Sequence, residues 1–227
     1  MNSPAVIFEE SLRVPAEVHD LQAFRRWAFS PDFPEAGRID FLSGDVEVDM
    51  SPEDLHTHGR AKMAVSRVLD ELVEAADLGE VFVDRSRVTS SAGNLSVEPD
   101  VVVVLWQSLE SGRVRYVPDA QGRPGRSREI EGAPDLVVEI VSDSSVGKDR
   151  RRLPRRYAAA GVRELWLVDA RGDELAFEIH SLAGDTFERV TADPDGWTAS
   201  RVLSQSFRLL RQRTRLGTWR YRLERRT

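Results

Sequence analysis

Two apolar stretches decide the fold: EPDVVVVLW at 98–106, and APDLVVEIVSDSSVGKDRRRLPRRYAAAGV at 133–162. Four consecutive valines before a leucine, and the later run LVVEIV, have the near-continuous apolar character of strands buried on both faces. After the second run the pattern predicts a loop that opens a helix, with Pro154 in its first turn or kinking it. This succession favours an α/β fold in which helices flank a mixed central β-sheet.

Outward from this centre, strand and helix patterns continue. Residues 15–29 have helical spacing, and RIDFLSGDVEVDM at 38–50 predicts a hairpin around a Ser43-Gly44 turn. Residues 51–79 give the strongest helix, which Ser51 would cap. Its expected buried stripe is Met63, Val65, Val68, Leu69 and Leu72. Residues 107–127 predict a long loop or second hairpin, ELWLVDA and LAFEIHSL predict strands, and short antiparallel strands follow.

Composition excludes several classes of protein. The chain has 227 residues, 41% of them hydrophobic and 31% charged, which suits a globular core rather than a disordered chain. With no cysteine, the chain has no disulfide, no thiolate nucleophile and no cysteine-based zinc site. No apolar run approaches a membrane span, and MNSPAVIFEE lacks the basic region of a secretory signal. We therefore expect a cytoplasmic protein.

Charge is distributed unevenly along the chain. The net charge is −6, yet residues 113–227 hold 23 basic against 17 acidic residues, and the tail 201–227 holds nine arginines and one acid. Such a tail could present a basic surface to a polyanion. A solvated charged face is the simpler explanation, and charge alone favours it.

Common catalytic signatures are missing from the sequence. Lys148 follows a glycine, but no glycine stands five positions before that one, so this is no P-loop. The dinucleotide-binding, serine-hydrolase and zinc-protease motifs do not occur either.

What remains is a pair of carboxylates on apolar strands. Asp100 precedes the valine run, and Glu139 lies inside LVVEIV, where an ionised acid is costly unless a cation pairs with it. If the two strands are neighbours, the two carboxylates could share a hard divalent cation such as Mg²⁺. Alternatively, Glu139 pairs with an arginine and Asp100 only begins a strand. Spacing alone favours this second reading.

The two lysines shift that balance. Only Lys62 and Lys148 are lysines among 32 basic residues, which hints that a compact ammonium is needed where a guanidinium would not serve. Lys148 stands nine residues after Glu139 and could fold back toward the same strand end. Lys62 shares a helical face with His58. Either lysine could still be ordinary exposed charge.

The two stretches, continued by RELWLVDA at 163–170, closely resemble the Uma-two family of restriction-endonuclease-like proteins. RIDFLSGDVEVDMSPEDLHTHGRAK is similar to that family's hairpin and helix entrance, so the resemblance covers roughly residues 20–185. It implies a PD-(D/E)XK-type nuclease fold, with Asp100 as the first acid of the motif and Glu139 as the second. Val141 stands where the motif usually has its lysine, and Lys148 would be the migrated equivalent. Glu98, His58 and Asp40 also match family positions near the site.

The resemblance further implies hydrolysis of phosphodiester bonds in DNA, with Mg²⁺ or Mn²⁺ held by Asp100 and Glu139. Lys148 would orient water or stabilise phosphate oxygens, and His58 and Lys62 could contact a phosphate. Four nearby arginines suit backbone phosphates unless local acids such as Asp149 and Glu164 neutralise them. These are Arg151, Arg152, Arg155 and Arg156.

We expect residues 1–200 to form the nuclease-like domain, the tail 201–227 to pack on it or extend from it, and the protein to be a homodimer. Three alternatives stay open. The first is an inactive nucleic-acid or protein-binding module, which Val141 favours. The others are a hydrolase of another phosphate ester and a structural dimer assembled through the tail.

Overall fold

The structure is a computed structural model that describes residues 13–119 and 121–227. The expectation about a signal segment at residues 1–10 lies outside these residues. The α-helices are α1 (Leu21–Ala28), α2 (Arg60–Ala75), α3 (Trp106–Glu110) and α4 (Leu153–Ala160). The strands are β1 (Arg38–Leu42), β2 (Asp45–Asp49), β3 (Gly79–Val83), β4 (Arg87–Ser90), β5 (Leu95–Val97), β6 (Val101–Leu105), β7 (Val114–Pro118), β8 (Ser127–Gly132), β9 (Leu136–Ile140), β10 (Glu164–Asp169), β11 (Ala176–Ala183), β12 (Thr186–Arg189), β13 (Thr198–Ser200), β14 (Gln205–Arg213) and β15 (Trp219–Arg226).

These strands form three sheets, and the predicted mixed α/β class is confirmed. The central sheet has the order β12-β11-β10-β9-β6-β3, and it is mixed because β9 is parallel to β10 but antiparallel to β6. The second sheet has the order β2-β1-β5-β4-β8-β7, and the C-terminal sheet is β13-β14-β15. The central strands therefore carry the candidate acids.

The valine run is apolar on both faces because each face of β6 meets its own core. Val101 and Val103 belong to the core beneath α2, whereas Val102 and Val104 belong to the core that contains Tyr157 of α4. The predicted β1-β2 hairpin is also present. Ser43 and Gly44 both have positive φ (63° and 104°), as a two-residue hairpin turn of type I′ requires.

The entrance to α2 differs from the prediction. A π-helical turn, Leu55–Gly59, precedes α2, and Asp54 rather than Ser51 caps it, accepting hydrogen bonds from the backbone N–H groups of His56 and Thr57. The expected burial of Met63 is wrong, since its exposed fraction is 62%. Lys62 is buried instead, because 3.6-residue periodicity places it, not Met63, on the face of the other apolar residues.

The C-terminal tail forms long strands rather than short ones. Strands β14 and β15 pair over eight residues each, from Ser206 opposite Arg226 to Arg213 opposite Trp219. Their inward side chains share one apolar core with α2. Residues 107–127 contain α3 and the first part of the β7-β8 hairpin. Among the described residues, no helix is both long and apolar enough to cross a membrane.

Candidate active site

Strand pairing brings the two predicted acids to the same end of the central sheet. Val101 of β6 pairs with Val138 of β9, so Asp100 and Glu139 each stand one residue beyond that pair. The backbone N–H of Ile140 donates to Asp100 Oδ2 at 2.7 Å. The hydroxyl of Tyr157 on α4 donates to Glu139 Oε1 at 2.5 Å. Both carboxylates are buried and fixed in place.

An arginine lies against this pair, as the second reading of the sequence required. Arg38, the first residue of β1, has Nη2 3.5 Å from Glu139 Oε2, and its Nε donates to Asp40 Oδ2 at 3.2 Å. Neither Arg38 Nη2 nor Glu139 Oε2 has a hydrogen-bond partner among the described residues, although both atoms are buried. Arg38 therefore balances Glu139 by charge without a well-formed hydrogen bond.

The charge at Glu139 is incompletely neutralised. Burial, together with the nearby Asp100 and Asp149 carboxylates, raises the pKa of Glu139 from 4.5 to about 8, although Arg38 opposes this. Burial, with a contribution from Asp100, likewise raises the pKa of Asp149 from 3.8 to about 6. An additional cation would therefore stabilise the ionised form of both carboxyl groups.

Asp100 and Asp40 behave differently because cations surround them. Burial acts to raise the pKa of Asp100, but the hydrogen bond from His58 and the charge of Arg38 lower it overall. Burial also acts against ionisation of Asp40, and the charges of Arg38 and Lys148 outweigh it, so its pKa is lowered as well. At neutral pH these two acids are ionised, and they are the hard oxygen donors of the site.

His58 and Lys62 both lie against Asp100. His58, in the π-helical turn, has Nε2 3.5 Å from Asp100 Oδ2 and Nδ1 3.2 Å from a Glu53 oxygen. The ammonium of Lys62 binds Glu53 at 2.9 Å and Asp84 at 2.6 Å and lies 3.7 Å from Asp100. Burial would lower the pKa of His58, but the hydrogen bond and charge of Asp100 raise it overall.

One group of potential metal ligands stands out among the described residues. A ligand atom from each of Glu53, His58 and Asp100 lies within 4.8 Å of the others. Of these, Glu53 was missed in the sequence analysis, because it belongs to an irregular segment with no motif of its own. Near Asp100, Glu139 Oε2 and Asp149 Oδ1 are buried and have no hydrogen-bond partner among the described residues. The residues present therefore fit a divalent cation at Asp100.

Lys148 reaches a different acid from the one expected. Its ammonium binds Asp40 and lies 3.7 Å from Glu47, and it has no ion pair with Asp100 or Glu139 among the described residues. Asp40 also accepts the backbone N–H of Glu98 at 3.0 Å. Asp40 thus links Lys148 to Arg38, and through Arg38 to Glu139.

Glu98 belongs to the edge of this network. Its carboxylate binds Arg87 at 2.6 Å, and it lines the same depression as Asp100. Burial, with a smaller contribution from Asp40, raises the pKa of Glu98 although Arg87 opposes this.

Two adjoining depressions open onto the site. The larger, of about 1300 Å³, is lined by Lys148 and all four predicted phosphate-binding arginines. The smaller, of about 430 Å³, is lined by Asp100, His58 and Arg38. They share Asp49, Ser51 and Ser144. Trp106 and Trp166 line neither, so no tryptophan closes the cleft.

The arginines of the larger depression are mostly without acidic partners. Arg152 binds Asp45 at 3.2 Å and also Glu47. Arg151, Arg155 and Arg156 have no ion pair within the described part of the chain.

The acids expected to neutralise these arginines are engaged elsewhere. Asp149 bonds to the Ser145 hydroxyl, and Glu164 accepts from Trp166 at 2.7 Å and Ser200 at 2.6 Å. The basic groove is therefore available to an anionic ligand.

Arg38, Asp149 and Tyr157 were also missed by sequence reasoning. Each contacts the site only through tertiary packing, Arg38 from β1 and Tyr157 from α4. Asp149 gave a weak signal, since it follows Lys148 directly, but its burial beside Ser145 depends on the π-helical turn 148–152.

Comparisons with known proteins find similarity to nuclease-like proteins. Residues 21–212 match the family Uma2, described as "Putative restriction endonuclease". A solved structure from Anabaena variabilis ATCC 29413, titled a "putative nuclease belonging to DUF820", superposes with a TM-score of 0.55 at 17% identity. The match covers 73% of this chain and 83% of that one, which shows a shared fold. A comparison with curated proteins finds no match.

Proposed function

Because the chain belongs to the Uma2 family and has a restriction-endonuclease-like fold, we propose that it is a divalent-metal-dependent endonuclease that hydrolyses phosphodiester bonds in DNA. One observation carries the proposal. The buried, ionised Asp100 lines a depression that adjoins the arginine groove, where Arg151, Arg155 and Arg156 have no ion pair with a described residue, and it stands beside a glutamate whose pKa is raised to about 8. A metal-binding acid next to a phosphate-binding surface is the arrangement that this chemistry needs.

In this proposal Asp100 and Glu139 hold Mg²⁺ or Mn²⁺, with Glu53 and His58 as further candidate ligands on the cleft side. The bound metal would supply a water of lowered pKa and would neutralise charge in the transition state. Arg38 has to move away from Glu139 Oε2 for that oxygen to become a ligand, and Asp40, its other partner, remains to hold it.

The cations of the site then have separate roles. Lys148, held by Asp40 at the floor of the larger depression, stabilises the non-bridging phosphate oxygens. Arg151, Arg155 and Arg156 bind neighbouring backbone phosphates, with Arg152 at the rim. His58 and Lys62 hold Asp100 in position from the side of α2.

The expectations about assembly and location remain part of the proposal. We expect a homodimer, in which two-fold symmetry would present one site to each strand of a duplex. Light scattering of the purified protein would measure this directly. We also expect the protein to be cytoplasmic.

Plasmid nicking with and without Mg²⁺ or Mn²⁺ tests the proposed function. We expect nicking by the native chain in the presence of metal and a loss of at least a hundred-fold for Asp100→Asn. Asp70→Asn, which changes an exposed acid on α2, is the matched control and should nick at the native rate. Equal nicking by the Asp100 and Asp70 variants would refute the assignment.

A second function is favoured by two observations. Val141, at the usual lysine position, is buried, and Arg38 occupies the space beside Glu139 where a metal would bind. These suit a binding module that has the fold without the activity. Duplex binding without metal-dependent nicking in the same assay would identify it.

A further inference from the structure

The C-terminal hairpin β14-β15 carries a second basic surface. Its inner side chains Leu209, Tyr221 and Leu223 are buried in the core that α2 shares. Its tip and the start of α2 enclose a depression of about 520 Å³. The lining of this depression includes His56, Arg60, Arg213, Arg215, Trp219 and Arg220.

None of the described residues that line this depression carries a carboxylate. Arg60, Arg215 and Arg220 are exposed and form no ion pair with any residue that the structure describes. The guanidinium of Arg213 lies 3.6 Å from the centre of the Trp219 ring and donates to the carbonyl of Gly217 at 2.6 Å. Stacking on a rigid indole reduces the freedom that an arginine loses when it binds an anion.

This surface is joined to the candidate active site through a short piece of chain. His56 and Arg60 flank His58, whose ring lies beside Asp100. The π-helical turn therefore has the basic hairpin on one side and the candidate metal ligand on the other. The arginine groove beside Lys148 is a separate depression that shares no lining residue with the hairpin surface.

Two basic surfaces beside one acidic site fit an extended polyanion better than a small phosphate. We propose that Arg60, Arg213, Arg215 and Arg220, the hairpin arginine surface, bind the phosphate backbone of a DNA duplex whose cleaved phosphate lies at Asp100. The inference rests on the proposed function for the identity of the ligand. Phosphate contacts of this kind add affinity and fix the register of the duplex without reading its sequence.

Fluorescence anisotropy with a labelled 30-base-pair duplex in EDTA tests this without cleavage. The test variant is Arg60→Ala/Arg215→Ala/Arg220→Ala, which leaves the Arg213–Trp219 stack intact. The matched control replaces the exposed arginines 13, 26 and 126, which have no ion pair among the described residues, with alanine. Circular dichroism and thermal melting verify the fold, and an Arg→Gln triple variant replaces the alanine variant if that one fails to fold.

We expect the slope of log K against log salt concentration to fall by two to three in the hairpin variant, and affinity near 0.15 M salt to fall about ten-fold or more. The control should bind like the native chain. Equal slopes for the two triple variants would overturn the inference and leave the proposed function standing. The inference would also be overturned if the native chain nicks DNA and the hairpin variant loses only its binding to anionic vesicles. A native chain that neither binds nor nicks DNA would remove the proposed function and this inference together.

Discussion

Glu139→Gln should make the metal-free protein more stable at neutral and alkaline pH. Glu139 is fully buried, and its pKa is raised from 4.5 to about 8 by burial and by the neighbouring acids. Above pH 4.5 the unfolded chain loses the proton of Glu139, while the folded chain keeps it up to about pH 8. The free energy of unfolding therefore falls as pH rises through this window.

The size of the effect follows from the same values. Each pH unit well inside the interval between the two pKa values removes about 1.4 kcal/mol of stability. The slope halves at the folded pKa of about 8, so the loss between pH 6 and pH 8 is about 2 kcal/mol. Asp149 contributes mainly below pH 6, since its pKa is about 6. The pKa of His58 is raised, so its charged form stabilises the folded chain, and this stability is lost as the pH rises above the unfolded pKa of 6.5. The variant retains His58 and shows the same loss. The difference between native chain and variant therefore reports on Glu139 together with its interaction with Asp100 and Asp149.

Urea unfolding in EDTA, followed by circular dichroism from pH 5 to pH 8.5, measures this difference. The free energy of unfolding should fall by about 2 kcal/mol more in the native chain than in Glu139→Gln between pH 6 and pH 8. Glu174→Gln, at an exposed glutamate, is the control and should follow the native curve. Parallel curves for the native chain and Glu139→Gln would show that Arg38 already neutralises Glu139. They would refute the inference that Glu139 lacks a compensating cation.

Two further predictions concern the cations of the site. Lys148→Ala should slow metal-dependent nicking much more than Lys62→Ala, because Lys148 faces the arginine groove whereas Lys62 is held by Glu53 and Asp84; equal losses in initial rate would contradict the role of Lys148. Arg151→Ala/Arg155→Ala/Arg156→Ala should raise the KM for plasmid DNA about ten-fold or more and lower the salt slope of binding by two to three with little change in kcat. A fall in kcat alone would place these arginines in the chemical step instead.

The sequence predicted the local elements of the site well because their signals are local. The valine run, the LVVEIV strand and the Ser43-Gly44 hairpin each follow from residue period and turn chemistry. Their pairing did not follow, since two strands buried on both faces lie inside a sheet without having to be neighbours. The placement of Asp100 and Glu139 in one site came from the resemblance to the Uma-two family, and the pairing of β6 with β9 brings them to the same end of the central sheet.

The neighbours of these acids could not be predicted in this way. Arg38 and Asp40 reach the site from another sheet, and Tyr157 reaches it from α4. No periodicity reports such contacts. The π-helical turn before α2 was missed because Asp54 resembles a helix residue of the first turn, yet it is the cap. The burial of Lys62 was within reach, since helical phase alone places it inward.

The position of a metal bound to the protein tests the proposed site most directly. Crystals grown with Mn²⁺ and a non-cleavable duplex, measured at the manganese absorption edge, show the ion as an anomalous difference peak. We expect a peak at coordinating distance from carboxylate oxygens of Asp100 and Glu139, with the Arg38 guanidinium withdrawn from Glu139. A strong peak elsewhere, or none while Arg38 still lies against Glu139, would contradict it.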